Sequence, residues 1–532
     1  MEKKYAITYD IGTTGVKCCV FALSDKVEIL GYASAGYNLY VLPDGGVEQE
    51  PDEWWQAMCD TTKISLEKSG ITPDMISGIS FCSQMQGIVL VDKEGKPVHR
   101  AMSYMDQRAR EELKKGIAYG PQIAGANIPK LLKSLQITGA VAASVKDPVW
   151  KYKWIEAHEP YNFNRAYKWL DVKEYLICRM TGEFVMTPDS AFAALLYDIR
   201  KGKEGWSREM CDMLGVKYEH LPEIKQCTDK VGFLRKQQAD ELGLVEGIPV
   251  FGGGGDASLI GVGAGSVGLG DTHVYSGTSG WVSTVTDKSV VDSAAMIAAI
   301  VGADPGKFNY FAELETAGKC LEWVKDHLAL DEIGIYLQKT HVADSYESKY
   351  TSLYDYMTDI ILKVPAGSGG VIFTPWLHGN RCPFEDPNAR GMFFNISLET
   401  GKSEMIRAVV EGVCYHLRWF IETENKKVPV GDTLRFVGGG ALSCATCQIL
   451  ADITGKTVEV VASPQNVGAV GAAVIIAAGL GLIDSVADAK KLIPAEKTYT
   501  PDRSVKAIYD KQYSVYKNLY RTNKANFAAL NG

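Results

Sequence analysis

Two stretches half a chain apart share one design, and that repetition limits the folds open to this sequence more than any other feature. Tyr5 to Ser24, YAITYDIGTTGVKCCVFALS, reads as a buried strand, a Gly-Thr-Thr turn and a second strand. Thr272 to Val285, THVYSGTSGWVSTV, repeats the pattern around Gly-Thr-Ser. The turns begin at Gly12 and Gly277, 265 residues apart in a chain of 532. Two halves that each open on a Gly-Thr hairpin predict an internally duplicated fold. A single match of common turn residues is compatible with coincidence, so the rest of each half has to agree.

It does, in outline. Each half alternates strands with amphipathic helices in the manner of an α/β domain. The spacing predicts a helix from Asp52 to Ser69, with Asp52 as N-cap and Gly70 as its stop, then a strand from Ile76 to Cys82. A hairpin follows, GIVLVD and PVHRAMSY flanking a turn at Lys93 to Lys96. In the second half Thr316 to Leu328 and Ser403 to Thr423 carry helical apolar spacing. A chain this long outgrows a single core, so two domains with a cleft between them are expected. The break falls at the glycine-rich IPVFGGGGDASLIGVGAG near Ala257, giving domains 1–257 and 258–532.

Composition excludes several classes. Hydrophobic residues at 46% and charged residues at 23% fit an ordinary globule. A net charge of -8, without runs of Lys and Arg interleaved with aromatics, argues against a nucleic-acid partner and an acidic membrane surface. No apolar run reaches membrane-spanning length, since AVIIAAGLGLI is better read as a buried helix. Twelve cysteines without disulfide-like spacing suit a reducing cytoplasm, where we expect the protein to reside. The lone CxxC, Cys444 and Cys447, lacks further zinc ligands.

Gly-Thr hairpins suit nucleotide phosphates, because glycine lets the backbone approach and the exposed N–H and hydroxyl groups donate to phosphate oxygens. Facing hairpins with Gly12, Thr13 and Thr14 on one side and Gly277 and Thr278 on the other would hold a polyphosphate between domains. Asp10 would reach a magnesium ion through water, and Lys17 would add positive charge. The alternatives are a turn-closing Asp and a solvated Lys. In Val437 to Asp452 a strand runs into Gly438, Gly439 and Gly440 before Ala441 and a helix, a turn that can meet adenosine or merely pack tightly. No GxxxxGK[ST] loop occurs, so Walker-type phosphate binding is excluded. Asp256 directly follows four glycines at a strand-to-helix junction. It reads either as an N-cap or as a base that takes a proton from an attacking hydroxyl. SQMQG (83–87) and YMDQR (104–108), with Met85, Gln86 and Asp106, end neighbouring strands, where small polar ligands bind in α/β folds, and are otherwise ordinary polar loops.

Taken in order, these motifs resemble the FGGY family of carbohydrate kinases, most closely its xylulose kinase branch, over nearly the whole chain. Asp10-Ile-Gly-Thr-Thr with Lys17, Gly255-Asp256, Gly277-Thr278-Ser279, the Gly318 segment TAGKCLEW, PWLHGNRCPFEDPNARG and the Gly438 to Asp452 turn carry the likeness. The resemblance implies two actin-like, ribonuclease H-like α/β domains closing on magnesium and ATP. It also implies Asp256 as the catalytic base, which contacts the sugar as well, and Gly318 as a nucleotide contact. A small sugar is the expected partner, D-xylulose first, which would become D-xylulose 5-phosphate. Another ketose, a polyol or a sugar acid of the ribulose, erythritol, glycerol or gluconate type is the alternative, and beyond it an actin-like ATPase without sugar substrate. A homodimer is an expectation with no residues assigned to it. Departures gather where sugar is read: Gln86 replaces a customary His, Tyr104-Met105 replaces Trp-Asn, Asn380 stands where Glu is common, and Asn395 where Gly is usual.

Overall fold

The computed structural model describes residues 3–123, 125–328 and 353–532. Its two large sheets are built on one plan. In the first, β1 (Lys4–Ile11), β2 (Gly15–Leu23) and β3 (Val27–Gly36) form an antiparallel meander. On the other side of β1 lie β4 (Ile76–Ser83), parallel to it, and two later strands, β5 (Lys230–Phe233) at the edge and β6 (Pro249–Phe251) beside β4. The second sheet comprises β7 (Thr272–Ser276), β8 (Gly280–Thr286), β9 (Val291–Asp292), β10 (Ile297–Val301), β11 (Phe308–Leu314), β12 (Thr433–Val437), β13 (Thr457–Val461) and β14 (Ala495–Tyr499). The run β6-β4-β1-β2-β3 matches β13-β12-β7-β8-β11 strand for strand, with the same parallel and antiparallel pairings. The duplication suggested by two hairpins therefore extends through five strands of each half.

Each meander is backed by a long helix. The first, α1 (Pro51–Ser69), buries Trp54, Trp55, Met58 and Leu66 and stops at Gly70, whose φ of 66° suits a residue without a β-carbon. Its N-cap is Glu50 rather than Asp52, because Pro51 occupies the first helical position. Asp52 instead pairs with Arg179. The predicted hairpin after β4 is reduced to isolated bridges, Ile88 to Met102 and Val91 to Pro97. Pro97 has no N–H to donate, and Val89–Val91 takes Lys168–Leu170 as its strand partner.

Two shorter helices join the halves by exchange. After the fifth strand of the first half comes α2 (Asp256–Gly263), and it packs on the second sheet, where Leu259, Ile260 and Val262 share a core with Trp281 and Val437. In the second half α3 (Lys402–Glu424) backs the meander, and after β13 comes α4 (Val467–Gly479). This last helix returns to the first sheet and is buried with Ala6, Cys19 and Phe21. Every residue of α4 from Val467 to Ala477 is buried, as an apolar helix between two sheets requires. Helices α2 and α4 cross backbone to backbone. A β-carbon at Gly263 would stand 1.9 Å from the Val467 carbonyl oxygen, and one at Gly471 would stand 2.2 Å from that of Leu259. Among the described residues no helix is long and apolar enough to cross a membrane.

Gly471→Val should therefore lower stability by about 3 kcal/mol or more, at or beyond the upper end of ordinary overpacking, because the clash is with backbone that cannot rotate away. A thermal-unfolding midpoint equal to that of the parent protein would show that the crossing is looser than described.

Candidate active site

The cleft is assembled where the two hairpin tips, the start of α2 and the start of α4 meet. The first tip is closed by the Gly12 N–H donating to the Gly15 carbonyl at 2.9 Å, and is held from behind by the Tyr37 hydroxyl, which donates to the carbonyls of Gly12 and Gly15. Gln49 donates to the Thr13 carbonyl at 2.7 Å. Gln84 Nε2 in turn donates to Gln49 Oε1 at 3.0 Å. The backbone of the tip is thus fixed, while the Thr14 side chain remains exposed.

The second tip is braced by three partners. The Gly277 N–H donates to the Ser279 carbonyl at 2.9 Å, and the Gly318 N–H donates to the Gly277 carbonyl at 2.7 Å. A β-carbon at Gly318 would lie 2.3 Å from that same oxygen, so glycine is required there by close approach. The helix expected from Thr316 begins only at Gly318, since the Ala317 N–H is committed to the Thr278 carbonyl and the Thr316 hydroxyl to Pro375. Gly438 and Gly440 lean on Ser276, with virtual β-carbons 2.6 Å from its carbonyl oxygen and 2.7 Å from its hydroxyl. Gly439 faces open space, and Ala441 is buried beneath it. The structure thus brings Gly277, Thr278, Gly318, Gly439, Gly440 and Ala441 to one region.

Asp10 and Asp256 form the acidic floor. Asp10 pairs in register with Lys17 across the first hairpin. Burial raises the Asp10 carboxyl, and Lys17, with a hydrogen bond involving Cys82, pulls partly the other way. Lys17 donates to the Gln465 carbonyl at 2.9 Å, tying this hairpin to the segment that leads into α4. Gly468, in the first turn of α4, lies over Asp10, where a β-carbon would come within 2.9 Å of Oδ2. Asp256 is the first residue of α2, and Gly255 is the N-cap. One Asp256 oxygen accepts the Ala257 N–H at 2.8 Å, so a cap-like bond coexists with partial exposure. Burial drives this carboxyl up to about 7, opposed by the Ala257 N–H and assisted by the negative charges of Asp10 and Glu313.

The remaining wall carries polar groups from both halves. Met85 lies against Gly255, its Sδ 2.1 Å from where a β-carbon would stand. Gln86 is held at φ 62°, a strained value for a residue with a side chain, and its carbonyl accepts from Lys151 Nζ at 2.6 Å. Tyr104 reaches the Thr13 hydroxyl at 3.4 Å and feels the charges of Asp256, Glu313 and Glu315. Glu313 pairs with Arg381 at 2.7 Å. Asp106 is placed differently from expectation. Its carboxylate is fully buried, accepting from the Val47 N–H at 2.8 Å and from the Arg108 guanidinium at 2.8 Å. With no exposed surface and its oxygens taken up by Val47 and Arg108, it anchors the loop. Arg108 also pairs with Glu48 at 2.7 Å and stacks over Trp154.

Several site residues escaped the sequence reading. Tyr37, Gln49, Glu313 and Gly468 lie in segments without a glycine-turn signature and reach the cleft only through folding. Asp189, which accepts the Gly255 N–H at 2.7 Å, is a further one.

A duplicated sheet pair with two glycine hairpins and a carboxylate at a helix start between them is an arrangement suited to phosphoryl transfer. Comparison with known proteins agrees: residues 5–263 match the N-terminal domain of the FGGY family of carbohydrate kinases and residues 273–480 the C-terminal domain. The chain belongs to that family and is a sugar kinase, a phosphotransferase with an alcohol acceptor. It is 26% identical to a xylulose kinase of Staphylococcus epidermidis, covering 100% of this chain and 99% of the relative. It is 27% identical to a gluconokinase of Bacillus subtilis, covering 97% and 96%. The ligand-bound xylulose kinase from Lactobacillus acidophilus shares the fold with a TM-score of 0.83 at 24% identity, covering 99% of this chain and 100% of that one.

Asp106→Ala should cost about 3 kcal/mol of stability, at the low end for breaking a buried ion pair because Glu48 still faces Arg108. Chemical denaturation would measure it. An unchanged unfolding midpoint with a raised KM for sugar would return Asp106 to the substrate wall.

Proposed function

We propose that the protein transfers the γ-phosphoryl group of ATP to a primary hydroxyl of a small ketose, D-xylulose being the first candidate, yielding D-xylulose 5-phosphate. The observation that carries this is Asp256: a carboxyl pushed up to about 7, at the start of a helix and on the cleft floor beside Asp10. Asp256 accepts the proton of the attacking hydroxyl, and a group titrating near the working pH suits that role. The Gly12, Thr13 and Thr14 tip and the Gly277 and Thr278 tip hold the phosphates from opposite sides. The Gly439-Gly440-Ala441 turn faces adenosine, with Gly318 between it and the second tip. Met85 and Gln86 contact the sugar. We divide the chain into domains 1–257 and 258–532, whose closure excludes water as a competing acceptor.

Asp10 fits a divalent cation. It is a carboxylate raised by burial, in a space that Gly468 keeps free and that any β-carbon there would fill. Asp10 would hold magnesium through water, and the ion would offset negative charge on the phosphate oxygens. Lys17, engaged with Gln465, supplies charge to Asp10 and links the halves as well as facing the phosphates.

A second reading of the substrate has its own support. Gluconokinases stand among the relatives at the same level of identity as xylulose kinases, and Gln86 cannot titrate where a His is customary. ADP release should be measured with D-xylulose, ribulose, erythritol, glycerol and gluconate. D-xylulose should give the highest kcat/KM, whereas a preference for gluconate would move the assignment to sugar acids. ADP release that no sugar alters would leave only an ATPase.

Asp256→Asn should lower kcat roughly 10²–10⁴-fold, the range for removing a general base. Nucleotide affinity, read by calorimetry, should stay within a few fold. For the parent enzyme, kcat/KM should rise with pH through about 7, because only the ionised carboxylate of the free enzyme accepts a proton. A profile flat from pH 5.5 to 8 would argue against Asp256 as the titrating base.

A further inference from the structure

Beneath the glycine strand that delivers Asp256 lies a polar cluster that the reaction outlined above does not use. Asp189 is 1% exposed. Its Oδ2 accepts the Gly255 N–H at 2.7 Å, and its Oδ1 accepts the Thr187 hydroxyl at 2.5 Å. The Thr187 hydroxyl accepts in turn from Lys173 Nζ at 2.6 Å. Lys173 is ion-paired with Glu174, and neither side chain has any exposed surface. Nearby, Asp171 accepts the Gly87 N–H at 2.9 Å, so the loop of Met85 and Gln86 rests on a carboxylate of the same helical segment.

Burying three acids and a lysine is costly unless they are paired and hydrogen-bonded, and an apolar core of the same volume is often no less stable. Stability alone therefore does not account for the cluster. Its outward bonds go to two backbone N–H groups, Gly87 and Gly255, each next to a residue of the cleft. Gly255 is the N-cap of α2 and immediately precedes Asp256. It follows Gly253, whose backbone at φ 66° has no preference of its own for an extended course. A run of glycines has little intrinsic stiffness, so the position of Asp256 has to be set by what grips the strand. Two things grip it: the ladder to β4, where Gly254 and Gly255 pair with Cys82 and Ser83, and Asp189, whose Oδ2 would stand 3.0 Å from a β-carbon at Gly254 and so lies flush against the strand.

We infer that Asp189 is a positioning residue for the reaction, holding the Gly254–Gly255 strand so that the Asp256 carboxylate meets the substrate hydroxyl. Thr187, itself held by Lys173, keeps Asp189 oriented. This rests on Asp256 being the base. A base displaced by a fraction of an ångström still lets nucleotide and sugar bind but transfers the proton poorly, so the loss belongs in kcat.

Three substitutions test this in the full-length enzyme, with the best sugar of the panel and magnesium-ATP. Asp189→Glu keeps the charge beside Lys173 but moves the acceptor by one methylene; it should lower kcat at least about tenfold, with KM for ATP changed less than about twofold, as expected for misplacement of a catalytic group. Asp189→Asn keeps an acceptor for the Gly255 N–H and should recover to within about threefold of the parent kcat. Asp189→Ala should lose kcat at least as fully as the Glu variant, and because it can also unfold the site, the comparison of Glu with Asn carries the decision. Thermal midpoints are recorded beside each rate. Equal rates in the Glu and Asn variants, or a loss confined to KM for ATP, would overturn the inference. Parent-like turnover by Asp256→Asn would instead remove the reading on which it rests, whatever the Asp189 variants do.

Discussion

The crossing of α2 and α4 is the constraint on which the rest of the structure depends. Each helix leaves one sheet and packs on the other, so neither half completes its core without a helix from its counterpart. The glycines at 263 and 471 let the backbones meet at distances no side chain would allow. Because the helices start at the cleft, their crossing also sets where Asp256 and Gly468 stand relative to Asp10. A shift of either helix along the other would move the base and the space over Asp10 together, a geometry suited to a cleft that opens and closes.

The electrostatics of the site follow from the same packing. Asp10 and Asp256 are carboxyls from different elements, brought into a region that sheets and helices shield from water. Desolvation is the largest cause of both upward shifts; Lys17 opposes it at Asp10, and at Asp256 the Ala257 N–H opposes it while the charges of Asp10 and Glu313 add to it. Neighbouring groups respond in the same sense: Tyr275, stacked on Trp281 with ring centroids 3.9 Å apart, is raised by burial and then by both aspartates. A site that holds two acids close together in a poorly solvated cleft is prepared for cations and for proton acceptance.

Much of the site was legible because it is backbone chemistry. Gly277, Gly318, Gly438 and Gly440 are glycines for reasons of close approach, and such positions announce themselves in sequence. Legibility ended where the signal depended on partners. Asp52 looked like an N-cap until Pro51 took the first helical position. Asp106 looked like a pocket residue because it sits in a polar loop at a strand end, yet Arg108, two residues on, and the Val47 N–H claim its carboxylate. The hairpin after β4 had the right turn but lost its partner strand to Lys168–Leu170.

By itself the sequence determined the duplicated α/β plan, the two phosphate-type hairpins and the glycine strand ending in Asp256, since turns, periodicity and glycine requirements are local and survive in one dimension. Tertiary structure alone decided that α2 and α4 exchange sheets, that Gly468 covers Asp10, that Glu313 faces Asp256 and that Asp189 grips Gly255. Those contacts join residues from 57 to 458 positions apart in the chain. Their geometry comes from packing and desolvation, which no local pattern of residues records.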